Sequence, residues 1–408
     1  MDFVGLASAC RRRSASAKAS SSWGIDLVNA HRGGAERTSE AQALPVTIKP
    51  DRTLRAKITD SCGLTCTFCH NEGTPVSVDN RGRGGGEGSR TFVTLGRSGR
   101  SSIYANRNGV GFLASTMRAD DELRDALTVM GRGMELDELH LTGGEPTLHP
   151  AVAELVALGA EAGFRVCMTS NGENGERVLA RCAEAGLDRI NLSIFGTTPE
   201  ELADVQESRF RDIGLAARKI DALERTIETA LQNGVKVSAN IVVPNGAHIP
   251  RVHRLFERYS DKLSIRLLNS LSDGMDSIGA INQVLDELGA VPVAHHMTAG
   301  VSGYRTEYAL PSGRVVYFKK IRPTRLSVTC STCRFRDPST CEEGYYGLRL
   351  YRSAEGGYLV GVCIQRMDLC LPVEEFVTSS LASEVRELRD RELANPDEVL
   401  RHLAGESA

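Results

Sequence analysis

Three thiols sit within eight positions of one short stretch. "SCGLTCTFCHNEG" (residues 61–73) spaces Cys62, Cys66 and Cys69 as Cys-x3-Cys-x2-Cys, with Phe68 before the last cysteine and His70 after it. A disulfide framework, a zinc site, an iron–sulfur cluster and chance all cluster cysteines. Structural zinc takes four N or S ligands; this loop offers three, and His70 is too close to Cys69 to close the same ion well. Three thiolates on a four-iron cluster leave one iron without a protein ligand, and a small molecule can coordinate there. A second group lies far along the chain. "CSTCRFRDPSTCEEGYYGLRLYRSAEGGYLVGVCIQ" (330–365) supplies Cys330, Cys333, Cys341 and Cys363, with Cys370 seven residues on. A four-cysteine zinc site and an iron–sulfur cluster are both open readings of it. The count of eleven is odd and tightly grouped, with no secretory leader. That reads as metal ligation in a reducing cytoplasm, not disulfide stapling.

These residues need elements to hold them. From about residue 52, short β-branched runs alternate with amphipathic stretches. Strands are expected at 53–60, 138–143, 165–170, 189–196, 235–243 and 263–269, and helices at 119–130, 150–163, 174–186, 215–233 and 249–260. Strands that each lead into a crossover helix make a parallel sheet, which binds ligands at the carboxyl ends of its strands. Cys62, "TGGEP" (142–146) and "TSNG" (169–172) all follow strand ends. Beyond residue 275 the pattern changes to a helix, a hairpin turning at "PSG", the second cysteine group and a last helix over 373–393. Residues 80–111, rich in Gly, Arg and Ser, are too long for an ordinary βα loop and read as a lid or a tolerated insertion. Residues 1–50 read as a non-core tail.

The Cys-x3-Cys-x2-Cys loop after a first strand, followed by "LTGGEPTLHP" (141–150), "MTSNG" (168–172) and "NLSIFG" (191–196), resembles the radical S-adenosylmethionine (SAM) superfamily. The resemblance implies a partial (β/α)6 barrel over residues 51–270. It implies a 4Fe-4S cluster on Cys62, Cys66 and Cys69, shielded by Phe68, with SAM near Gly143, Gly144, Glu145, Ser170, Asn171 and Ser193. "LRAKITDSC" (54–62) and the segment 330–363 resemble the GTP 3′,8-cyclase subgroup. That implies an α/β fold whose cysteine-rich α+β extension (271–408) binds a second cluster through Cys330, Cys333 and Cys363, with Arg55 and Arg349 on an anionic substrate. The chain departs from that pattern. Cys341 is an extra thiol, and Gly347 stands where a first arginine is expected. The final "HLAGESA" differs from the cyclases' Gly-Gly tail. A small nucleotide or sugar-phosphate substrate, SAM, and an electron donor such as flavodoxin or ferredoxin are the implied partners.

Bulk composition agrees. Hydrophobic content of 41% and charged content of 25% suit a globular chain, and a net charge of −3 argues against a nucleic-acid coat. No apolar run approaches the ~18 residues that a membrane span requires. "YFKKIRPTR" (317–325) is either an anion site or a solvated face. Two other functions fit the same cysteines: a peptide-maturing enzyme with a fully ligated auxiliary cluster, which Cys341 favours, and a non-catalytic metal-binding or redox-sensing protein.

Overall fold

In a computed structural model, described for residues 18–19, 44–74, 76, 114–270, 273–337 and 340–396, six parallel strands follow one another in sequence order. They are β1 (Thr53–Thr59), β2 (Glu138–Gly143), β3 (Arg165–Ser170), β4 (Leu187–Ser193), β5 (Lys236–Val243) and β6 (Ser264–Asn269). The crossovers contain α1 (Asp121–Met134), α2 (Val152–Glu161), α3 (Gly175–Glu184), α4 (Ile213–Gln232) and α5 (Ile249–Tyr259). This is the expected partial (β/α)6 arrangement. The 80–111 segment and the final "HLAGESA" lie outside the described residues, as does most of the tail.

Strand alternation explains the layering. Leu54, Ala56 and Ile58, Leu139 and Leu141, Val166 and Met168, and Ile190 and Leu192 join the helices in the main apolar core. The intervening residues form the opposite, polar face. There Thr169 Oγ1 meets His140 Nε2 at 2.8 Å, Ser238 donates to Asn191 Oδ1 at 2.7 Å, and Arg266 reaches the same oxygen at 2.9 Å. Burial, then the positive charge of Arg55, pushes the His140 pKa down to about 3, so the ring stays neutral and accepts in this network.

The extension continues the same sheet at both edges. Helix α6 (Gly274–Glu287) leads to β7 (Val291–Ala299), β8 (Gly303–Ala309) and β9 (Val315–Ile321), and β9 runs parallel to β6. The chain then crosses to the far edge, where β10 (Leu348–Ser353) runs parallel to β1 and β11 (Tyr358–Gly361) completes a hairpin. The segment between β9 and β10 therefore links the two edges of the open barrel, and it carries Cys330, Cys333 and Cys341. Residues Val46–Pro50 pair with β7, so the ordered sheet includes the last residues of the expected tail. Among the described residues, no helix is long and apolar enough to cross a membrane.

Candidate functional site

The first cysteine loop leaves the carboxyl end of β1 and is held by the turns after β2 and β3. Gly144 donates to the Thr59 carbonyl and Glu145 to that of Ser61, both at 2.7 Å. Gly143 has φ +146°, and a Cβ at 144 would collide with the carbonyls of Asp60 and Ser61. These glycines admit close approach of the loop's own backbone, in addition to the SAM contact that the family resemblance implies for them.

Glu145 is fully buried. It accepts from Thr147 N at 2.9 Å, Thr147 Oγ1 at 2.7 Å, Ser170 Oγ at 2.7 Å and Asn171 N at 2.6 Å. Burial raises its pKa, and these bonds partly offset that rise. Glu145 and Ser170 thus lie under the 170–172 turn and aim Asn171 outward. Asn171 Nδ2 then lies 3.5 Å from Cys62 Sγ.

Two further residues brace the loop without any signal in the sequence. Gln206, just past the short helix Pro199–Asp204, accepts from Thr65 N at 2.6 Å and places its amide 3.8 Å from Cys66 Sγ. Glu173 accepts from Gly63 N at 2.7 Å and pairs with Lys219. Burial pushes the Cys66 thiol up, and its neighbours Cys69 and Cys62 push it further. Thiolates crowded in this way need positive charge among them, which a metal centre supplies. A recess of about 310 Å³ adjoins the loop, lined by Leu64, Asn171, Ser193, Phe195, Lys219 and Leu223 among others. Phe68 is 42% exposed and packs against Phe195, its ring centroid 5.4 Å away.

Cys330, Cys333, Cys341 and Cys363 line one recess of about 460 Å³, together with Phe335 and Arg366. Three of the sulfurs accept backbone N–H groups: Cys330 from Leu326 at 3.3 Å, Cys333 from Phe335 at 3.4 Å and Cys363 from Gln365 at 3.4 Å. Arg366 Nη1 lies 3.7 Å from Cys333 Sγ. Hydrogen bonds to sulfur are a principal means of tuning iron–sulfur clusters. Burial pushes the Cys363 thiol up to about 11, and Cys341 and Cys330 add to the rise. Cys370 does not line the recess; burial holds its pKa up near 12. Glu384 anchors this loop by accepting from Thr329 Oγ1 at 2.6 Å and Thr329 N at 3.0 Å. Cluster thiolates each take a separate iron, and the four thiols of the second group border one shared recess.

Arg349, Arg55 and His140 are register partners on adjacent strands. Arg349 is 1% exposed and pairs with Glu72 at 2.9 Å, while Tyr351 donates to the Glu72 carbonyl at 2.9 Å. Glu72 follows the cysteine loop at φ +51°. Burial alone would raise the Glu72 pKa, but the positive charges around it, Arg349 foremost with His70 and Arg55, together bring the value down to about 2. Arg349 therefore ties the extension to the exit of the first cysteine loop. Arg55 lies 4.4 Å from the Tyr346 ring centroid, with Arg349 at 5.1 Å and Lys319 at 5.4 Å. Lys319 also donates to the Tyr346 hydroxyl at 3.3 Å and is the foremost cause of its lowered pKa. The rest of the 317–325 basic run is partly committed elsewhere. Arg322 forms a buried bidentate pair with Glu392, and Arg325 donates to the Cys341 carbonyl.

The family model described as the radical SAM superfamily matches residues 56–258, the stretch that contains the first cysteine loop and the turns after β2, β3 and β4. The chain carries a radical SAM domain. Curated relatives include a probable GTP 3′,8-cyclase of Aeropyrum pernix, 27% identical over 292 residues that cover 70% of each chain. The GTP 3′,8-cyclase of Chlorobaculum tepidum is 26% identical over 230 residues, 54% of this chain and 57% of that one. Among solved structures, Streptococcus suis SuiB aligns over 59% of this chain and 48% of its own at 14% identity and TM-score 0.36. Radical SAM domains take a 4Fe-4S cluster and SAM, and the donor set of the first loop, three thiols beside a largely apolar recess that also holds Asn171, Ser193 and Lys219, fits that pair.

Proposed function

We propose that Cys62, Cys66 and Cys69 hold the catalytic 4Fe-4S cluster of this radical SAM enzyme, and that the recess between Asn171 and Ser193 receives SAM. The observation that carries the reading is a loop offering three thiols, not four, beside that recess. When bound, the cluster supplies the electron that cleaves the sulfonium and generates a hydrogen-abstracting 5′-deoxyadenosyl radical. The chain's own part is to place and shield. Glu145 and Ser170 fix the 170–172 turn, Gln206 and Asn171 brace the thiols, and Phe68 with Phe195 forms an apolar flank that helps exclude water.

Cys330, Cys333, Cys341 and Cys363 hold the auxiliary cluster in the extension (271–408), which works with the barrel unit (51–270). The substrate is a small anionic molecule, a nucleotide or sugar phosphate, received on the Arg55 side of the polar face. Its radical then undergoes cyclisation, rearrangement or dehydrogenation in a cytoplasmic biosynthetic pathway, with flavodoxin or ferredoxin as electron donor. The test is anaerobic reconstitution with iron and sulfide, followed by dithionite and SAM. Formation of 5′-deoxyadenosine is expected; its absence from protein with intact clusters defeats the catalytic reading.

A further inference from the structure

Arginines share the wall of the recess that holds the second thiol group, and their charges are disposed unequally. Arg366 places Nη1 3.7 Å from Cys333 Sγ, but Asp368 takes its other nitrogens in a bidentate pair, Nε at 2.8 Å and Nη2 at 2.7 Å. Arg325 differs. Its Nη2 donates to the Cys341 carbonyl, while its Nη1 is a buried nitrogen with neither a hydrogen-bond partner nor a carboxylate among the described residues. Leu326, the next residue, donates its N–H to Cys330 Sγ at 3.3 Å, so this part of the chain is tied to two of the four cysteines. Gly344, on the same wall at φ +74°, leaves room for the guanidinium, since a Cβ there would collide with Arg325 Nη1. Nearby carboxylates are engaged elsewhere or face water: Glu384 holds Thr329, Glu343 accepts from Ser302, and Asp337 and Glu342 are exposed. Arg336 also lines the recess but is exposed, where water and salt screen its charge. A buried guanidinium nitrogen is costly unless something accepts from it.

We infer that Arg325 and Arg366 set the redox potential of the auxiliary cluster, Arg325 through an uncompensated charge and Arg366 through a sulfur hydrogen bond whose charge Asp368 largely cancels. This assignment deepens the proposed function, since it rests on the four thiols holding that cluster. One-electron reduction adds negative charge to a centre already surrounded by thiolates. A fixed cation in a wall of low dielectric stabilises the reduced form more than the oxidised one, and so raises the potential. A hydrogen bond to a ligand sulfur acts in the same direction. Asp368 opposes both effects. The Arg366–Asp368 pair can therefore be moved either way, downward by removing the guanidinium and upward by removing the carboxylate, whereas loss of the Arg325 charge acts only downward. The sulfurs of the first loop have the uncharged amides of Asn171 and Gln206 beside them, and none of these changes alters that loop.

The test is an anaerobic redox titration of protein carrying both clusters, followed by electron paramagnetic resonance, the second centre being the one whose signal SAM leaves unmoved. Arg325→Gln should lower its midpoint by at least ~59 mV, a tenfold fall in the reduced-to-oxidised ratio at fixed potential. Arg366→Gln should lower that ratio about threefold, and Asp368→Asn should raise it about threefold. Arg325→Lys, which keeps the charge, should stay within about threefold of the parent. The midpoint of the first centre should hold in all four. An unmoved second midpoint in folded Arg325→Gln overturns the assignment, as does a fall in Asp368→Asn or an equal shift of both centres. Where Arg325→Gln fails to fold, Asp368→Asn carries the test, and an unchanged midpoint there has the same force. Zinc in place of a second iron–sulfur signal defeats the cluster reading and the assignment with it. A second signal that ignores every variant defeats the assignment alone.

Discussion

The two cysteine groups are built differently. The loop after β1 offers three thiols braced by side chains distant in sequence, Asn171 from the end of β3 beside Cys62 and Gln206 from just past a short helix beside Cys66. The recess formed by the segments after β9 and after β11 offers four, and three of those receive N–H groups from their own neighbourhoods, at Leu326, Phe335 and Gln365. Three thiolates on a four-iron cluster leave one iron for a small molecule, and four leave none. The comparison teaches that the first group is shaped by the barrel around a ligand recess, while the second is largely self-contained and suited to a closed centre.

The largest effect should come from breaking the three-thiol set. Cys66→Ala is expected to abolish 5′-deoxyadenosine formation and to remove about four irons per chain, one cluster's worth. Cys341→Ser should instead leave 5′-deoxyadenosine formation measurable while changing the electron paramagnetic resonance of the second centre. If both variants lose cleavage equally, the two groups are not functionally distinct.

The link between the regions comes next. Arg349→Met leaves Glu72 buried without its partner, which should cost roughly 3–5 kcal/mol in denaturant unfolding. Its pH signature has a definite sign. The Glu72 pKa falls from the usual 4.5 to about 2, so its contribution to stability is present above ~4.5 and is lost as pH drops toward 2. The variant should lack that acid-side loss when stability is followed between those limits.

Glu145→Gln sharpens the contrast by touching only the first region. An amide NH2 would face Asn171 N, a donor against a donor, and the expected loss is about 1–3 kcal/mol. SAM affinity, read by equilibrium dialysis, should fall along with stability. The smallest effect is expected from Gln206→Leu. It removes the bond from Thr65 N and the amide near Cys66, for about 1 kcal/mol, and should shift the spectrum of the first centre while leaving the second as it was.

Much of the fold was legible in residue order. The six parallel strands and five principal crossover helices fall within a few residues of the β-branched runs and apolar periodicities that announce them, because each buries one face against a common core. β7 (Val291–Ala299) carries no clear strand signal: "VPVAHHMTA" includes Pro292 and two histidines, and one of its two partners, Val46–Pro50, is remote in sequence. Gln206, Glu384 and Glu72 were missed because an isolated polar residue carries no periodic signal. Arg349 was read as a substrate ligand, and the fold shows its guanidinium already paired to Glu72. The paired glycines at 143 and 144 were read toward a ligand, and they also admit the approach of the cysteine loop.

Thiol spacing is a local property, so the chain order alone settles that three sulfurs can share one cluster and that a fourth must come from elsewhere or be absent. Which cations remain available, and which carboxylates are consumed beneath a turn, depend on segments well separated along the chain meeting in the sheet. Those outcomes follow from burial and charge pairing, and burial and pairing exist only once the sheet has closed around them.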